Sequence, residues 1–291
     1  MNHSTFNRLF RKILLKPVTR LFLPCSLLIA TAVSGQGNLL IMPRRVVFEG
    51  TKNSIDLTLV NTGRDTSKYV VSMIQMRMKE DGSFDQISVP DSGQNFADKY
   101  LRFFPRTVTL APNETQMVKM QVVRAEKLAP GEYRSHVYFR SVPKSKPLGE
   151  EENIIKDSIS GVSIHLQPIF GITIPVIIRI GANTTKVNLD KLSLEMLNDT
   201  TPRLSMMFNR IGNMSVYGDI TVDHVTPDGK VTRVGTVKGI AVYTPINRRK
   251  FTLDLDKHQH VDFHSGKLVV VYTAPADIKA VKIAESELKL P

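Results

Sequence analysis

Between Val162 and Ile178 every even-numbered residue is apolar or proline: Val162, Ile164, Leu166, Pro168, Phe170, Ile172, Ile174, Val176 and Ile178. The positions between them are mixed and more polar, with Ser163, His165, Gln167, Gly171 and Thr173 among them and Ile169, Pro175 and Ile177 as exceptions. Side chains of a β-strand point alternately to its two faces, so a period of two is the mark of a strand. Strands commonly run about 5–6 residues, and this one alternates for roughly three times that length. A ribbon this long exceeds what an ordinary sheet needs for its own pairing.

The rest of the chain is written in the same style. RRVVFEG, SIDLTLVNTG, YVVSMIQMRM, FPRTVTLAPNE, TQMVKMQVVR and GEYRSHVYFRSV precede the long run; KLSLEML, RLSMMFNRIGN, YGDITVDHV, RKFTLDLD and GKLVVVYTAP follow it. Gly, Asn and Pro clusters separate them, with EDGSF and TPDGK as turns, and only Asp91 to Leu101 suggests a short turn of helix. Many short strands at such spacing predict an all-β chain of sandwiches. With 291 residues there is room for two. The expected boundary is Gly181 to Thr185, giving domains over residues 36–182 and 183–291.

The N-terminus differs. Arg8, Arg11, Lys12, Lys16 and Arg20 have no acidic companion, an apolar run follows from Leu21 to Val33, and small residues close the segment. This is the layout of a secretory signal peptide over residues 1–35, and the apolar run is shorter than the ~20 residues of a membrane span. Removing those five of 39 basic residues leaves 34 against 27 acidic ones, a net charge of +7. The one cysteine, Cys25, leaves with the presequence, so the exported chain must rely on its core without a disulfide. No basic run with interleaved aromatics occurs, which argues against nucleic acid as a partner.

The first half, roughly Asn38 to Ile180, resembles the PapD-like family of periplasmic pilus chaperones. The resemblance lies in Arg45 to Gly50, in LVNTG (Leu59 to Gly63), in FPRTVTLAPNETQMVKM (Phe104 to Met120), in PGEYRSHVYF (Pro130 to Phe139) and in the long strand ending IPVII. RLSMMFNRIGNMSVYGDITV resembles the early strands of the family's second domain more weakly. The resemblance implies two immunoglobulin-like sandwiches set as a boomerang. It also implies a function: holding secreted pilus or fimbrial subunits that lack a strand by lending them the last strand of the first domain, before handover to an outer-membrane usher. In such a protein a basic pair holds the client's terminal carboxylate, and Arg45 matches its first member.

Physical chemistry supports that role for the long strand. An unpaired strand edge is a template for another chain, and strand addition takes affinity from main-chain bonds and specificity from alternate side chains. The expected donor residues are Val162, Ile164, Leu166 and Phe170, each buried aliphatic contributing about 1.5–3 kcal/mol before ordering costs. Ile172 to Ile178 would serve the sandwich's own core. The exposed strand also offers the free protein a second copy of itself as partner, a homodimer. The sequence departs from the family in two places. No basic residue lies between His165 and Arg179, where a strand lysine is expected near Gly171 or Thr173, and Ile174-Pro175-Val176 stands in place of tyrosine-arginine-proline.

Other chemistries find little support. The exported chain has no cysteine nucleophile, no Gly-x-Ser-x-Gly elbow and no phosphate-binding glycine loop. His136 sits in an alternating strand, where a packed or exposed imidazole is expected rather than a base. In DLDKHQHVDFHSG the residues Asp254, Asp256, His258, His260, Asp262 and His264 share one parity. On a continuous strand His258, His260 and His264 could bind a metal; a turn near Lys257 to Gln259 would instead break the register and leave a solvated face, and that is the expectation. The chain is therefore expected to be a periplasmic chaperone, not an enzyme, with no cofactor or metal. The rival reading is a structural or adhesive secreted protein whose long strand is covered internally.

Overall fold

The computed structural model describes residues 38–143, 169–198, 200–258, 261–275 and 281–291. Ten strands fill the first half: β1 Leu39–Met42, β2 Val46–Phe48, β3 Ser54–Asn61, β4 Ser67–Met78, β5 Phe84–Ile87, β6 Leu101–Phe104, β7 Thr107–Leu110, β8 Thr115–Val122, β9 Gly131–Val142 and β10 Gly171–Ile180. Seven fill the second: β11 Lys186–Leu197, β12 Thr201–Ile211, β13 Val216–Val225, β14 Val231–Val242, β15 Arg248–Asp254, β16 Lys267–Ala274 and β17 Val281–Lys289. The expected helical turn is the 3-10 segment Asp98–Tyr100. Among the described residues no helix is long and apolar enough to cross a membrane.

The strands form four sheets. One runs β1-β3-β8-β6, and its partner runs β2-β10-β9-β4-β5, with β7 beside the first part of β4. Further along the chain, β11-β12-β15 faces β14-β13-β16-β17. The alternation read from sequence is what buries these sheets on one face. In β3 Leu57, Leu59 and Asn61 are buried, and in β8 Val118, Met120 and Val122 are. The two sandwiches keep separate cores. Leu57, Leu59, Val118 and Met120 meet Phe48, Val71, Val137, Phe139 and Val176 in one; Leu204 and Phe208 meet Ile220, Val222, Leu268, Val270 and Tyr272 in the other. The fold is all-β, two immunoglobulin-like sandwiches in sequence.

Asn61 shows how a motif residue closes a turn. Its Nδ2 donates to the carbonyls of Asp65 and Leu110, and its Oδ1 accepts from the Gly63 N–H. A fully buried amide is satisfied by local chain that would otherwise leave carbonyls unpaired.

Residues Gln36–Pro291 form one compact unit, and within it a third, smaller cluster joins the sandwiches. Met78 and Ile177 from the first pack against Ala241 and Tyr243 of the second, with Val47, Tyr217 and Ile246 at the margin. The tip of the β4–β5 hairpin adds main-chain contact, since the Lys250 N–H donates to the Glu80 carbonyl at 2.7 Å.

Candidate functional site

The long alternating run enters the described structure at Ile169 and continues as β10. Its even residues Ile174, Val176 and Ile178 are buried in the first core, and Ile172 packs against it. The odd residues turn to the second sandwich, where Thr173 and Pro175 line a cavity and Ile177 joins the connecting cluster. The odd-position apolar residues that broke the pattern thus have their own surface to cover.

The two edges of β10 are unequal. On one side β9 pairs with it along its whole length, from Gly171 opposite Arg140 to Ile180 opposite Gly131. On the other, parallel β2 covers only Val176–Ile178. The Ser141 N–H donates to the Phe170 carbonyl at 2.8 Å. Antiparallel bonding recurs at every second residue, so the main-chain groups of Gly171, Thr173 and Pro175 point away from β9. Among the described residues no strand meets them there. Pro175 fits this placement because its missing N–H falls on the side that lacks a ladder.

Arg45 lies in the bend between β1 and β2, one residue before β2 begins. Alternation predicts that Arg44 points away from it. Because the backbone bends there, both instead line the same cavity, one of about 400 Å³ between the sandwiches. The cavity's other cationic or imidazole walls are His136, Lys238 and Arg249; Phe84, Tyr217 and Tyr243 supply aromatic faces, and no Asp or Glu lines it. The Arg45 guanidinium stands 4.5 Å over the Tyr217 ring and 5.9 Å from that of Tyr243, whose ring also carries Arg134 at 4.6 Å. Burial pulls Arg45 and Arg134 below the usual arginine range, partly opposed by Tyr243, though an arginine keeps its charge. His136 is held neutral, lowered to about 3 by burial and then by Arg134. Among the described residues Arg45 Nε and Nη2, Arg134 Nε and Nη1, Arg249 Nε and His136 Nδ1 are buried without hydrogen-bond partners.

A different arrangement holds the same seam at the far end of β10. The Glu132 carboxylate accepts from Ser215 N at 2.9 Å, Ser215 Oγ at 2.7 Å, Arg179 Nε at 3.2 Å and Thr244 Oγ1 at 3.2 Å. Arg179 Nη2 also donates to the Ser215 carbonyl at 2.7 Å. Arg210 is buried there with donors to the carbonyls of Ile246, Gly212 and Met214 and to Asn247 Oδ1.

Other residues singled out from the sequence fall as follows. Val162, Ile164 and Leu166 lie outside the described residues. Phe170 is 38% exposed, its N–H bonded to Ser141 Oγ at 3.0 Å. At Gly171, a place expected to hold a strand lysine, any side chain would force Tyr138 to move, because a Cβ there would sit 2.2 Å from its ring. The shared-face arrangement of the histidine stretch does not form: β15 ends at Asp254, Leu255 turns into the core, and the His264 N–H closes a turn onto Asp262 Oδ1. His260 lies outside the described residues, and among those described no three His, Cys, Asp or Glu gather as a metal site. Tyr217, Tyr243 and Arg249 were not legible as site residues, since each reaches the cavity only through the packing of distant strands, and Arg134 stands behind Tyr243 without lining it.

No protein-family model and no curated protein matches the sequence. Solved structures that resemble it include the YadV chaperone, 13% identical over 87% of this chain and 100% of that one, with a TM-score of 0.43. Others are the Salmonella enterica SafA pilin in complex with the SafB chaperone (13%, 88% and 97%, TM-score 0.40) and the Acinetobacter baumannii CsuC–CsuE chaperone–tip subunit complex (12%, 84% and 98%, TM-score 0.41). At such scores these likenesses leave the functional reading to the geometry of the site itself.

Proposed function

We propose that this chain is a periplasmic chaperone for secreted pilus-type subunits, exported by residues 1–35 and built from domains over residues 36–182 and 183–291. It is not an enzyme in this reading. The observation that carries the proposal is the edge of β10 that no described strand covers, leading into a cationic cavity. A client strand laid along Gly171–Pro175 takes main-chain bonds from β10. Val162, Ile164, Leu166 and Phe170 extend the lent surface, filling the groove of a subunit that lacks its own strand.

The direction of the client follows from β2. That strand is parallel to β10 and begins opposite Val176, with Arg45 immediately before it. A client segment running the same way along Gly171–Pro175 would end at Arg45, whose planar fork suits a terminal carboxylate. Handover to an outer-membrane usher, and self-pairing of the free protein as a homodimer, belong to the same reading.

Native mass spectrometry of the tagged protein, recovered from the periplasm of its own host, tests it. An equimolar complex with a small secreted β protein is expected, and Ile164→Asp should abolish that complex while the circular dichroism of the fold is kept. Recovery of only a lone monomer or a self-dimer would favour a structural protein whose strand is covered internally.

A further inference from the structure

We infer that Arg249, from the second sandwich, is the second cation that grips the client's terminal carboxylate, so that the anchor spans both sandwiches. This rests on the chaperone reading and names the group that completes its site. Three observations converge on it. Arg249 and Arg45 line the same cavity, where no Asp or Glu among the described residues forms a wall, although Asp81 acts on Arg249 and Glu132 on Arg45 from outside it. Arg249 is held in place: its Nη1 donates to the Ala241 carbonyl, and Gly82, at φ +84°, lets the guanidinium lie against the β4–β5 hairpin where a Cβ would come within 2.6 Å of Nη2. Yet its Nε, like Nε and Nη2 of Arg45, is buried with no partner among the described residues.

Leaving a buried donor unmade is costly, more so on a charged group. Three such donors lie on two guanidiniums that line one cavity; they are enclosed by protein, and an anion entering it would give them a partner once the guanidiniums turn toward it. Lys238 and Arg44 line the cavity too, but both are exposed and keep their hydration, so they contribute field without fixed geometry. Arg134 is fully enclosed against Tyr243 and does not line the cavity; its part is to position that ring. Thr173 and Pro175, on the stretch of β10 that no described strand covers on this side, line the cavity as well, so a strand added there delivers its end to both arginines.

The test uses an alternating apolar octapeptide, made as the free acid and as the C-terminal amide, titrated calorimetrically into the purified protein at low salt. Charge-assisted hydrogen bonds predict that the acid binds about tenfold or more tightly than the amide. That preference should fall to near unity in both Arg45→Gln and Arg249→Gln and persist in Lys238→Gln. Arg249→Lys, which keeps the charge but not the fixed fork, should retain part of it, and carries the test if Arg249→Gln does not fold. A preference lost in Arg45→Gln but intact in both Arg249 variants overturns Arg249 as the second cation and leaves the chain-end reading standing. Equal binding of acid and amide by the unaltered protein, or binding of neither, overturns both.

Discussion

The seam between the sandwiches has two ends that treat buried charge in opposite ways. At the Arg179 end the charges are answered: Glu132 accepts four hydrogen bonds, and Arg210 donates three to carbonyls and one to an amide. At the Arg45 end the Arg45 and Arg134 guanidiniums rest on tyrosine faces with donors unanswered, and no Asp or Glu among the described residues lines their cavity. Both ends bury arginine, so burial of charge alone does not tell structure from function. The state of the remaining donors separates the two ends: the satisfied network fixes a geometry, whereas the unsatisfied donors on arginines that line an open cavity call for an explanation of their own.

Substitutions at the two ends should therefore have unequal costs. Glu132→Ala removes the acceptor that Arg179, Ser215 and Thr244 share. It should destabilise the protein by about 3–5 kcal/mol, because it strands a buried charge; chemical denaturation reads this, and a loss under about 1 kcal/mol would mean the network does not hold the seam.

The next effect is smaller and depends on pH. His136 has an ordinary value of 6.5 when unfolded but about 3 when folded. Between those values the unfolded chain binds the proton and the native one does not, so stability falls as pH drops below 6.5. The loss should reach about 2.5 kcal/mol by pH 4.5, where Asp91 and Asp254 stay ionised because hydrogen bonds from Arg77 and Arg203 hold them below the usual carboxylate range. His136→Leu should flatten the profile between pH 6.5 and 4.5, and an unchanged slope would place the acid sensitivity elsewhere.

Arg45→Gln should be the mildest. The guanidinium has no hydrogen bonds to lose, and relief of its desolvation offsets a cation–π contact of about 0.5–2 kcal/mol. A change within about 1 kcal/mol is expected by thermal denaturation; a cost like that of Glu132→Ala would erase the contrast and make Arg45 a structural residue.

Much of the fold could be read directly. The one-faced burial of β3, β8 and β10 follows the apolar alternation residue by residue, and even the odd-position exceptions in β10 correspond to a second buried surface at Ile177. Arg45 was legible as a candidate because a basic residue precedes a short apolar strand in a familiar pattern. One expectation yielded to geometry: Arg44 and Arg45 share a cavity because the chain bends before β2, a change that side-chain parity does not register. In the Asp254 to His264 stretch the register breaks as expected, because the strand ends at Asp254 and the shared parity builds no common face.

The sequence by itself determined the β character, the positions of strands and turns, and the one-sided pattern of burial, because these depend on neighbours two residues apart. Only the tertiary structure decided which charges are paired. Arg179 finds Glu132 from 47 residues away, and Glu132 finds Ser215 from 83, while Arg45 and Arg249 meet a cavity that no described Asp or Glu lines. Local pattern sets which face a side chain takes; charge pairing depends on distances between strands that only the packed sheets bring together.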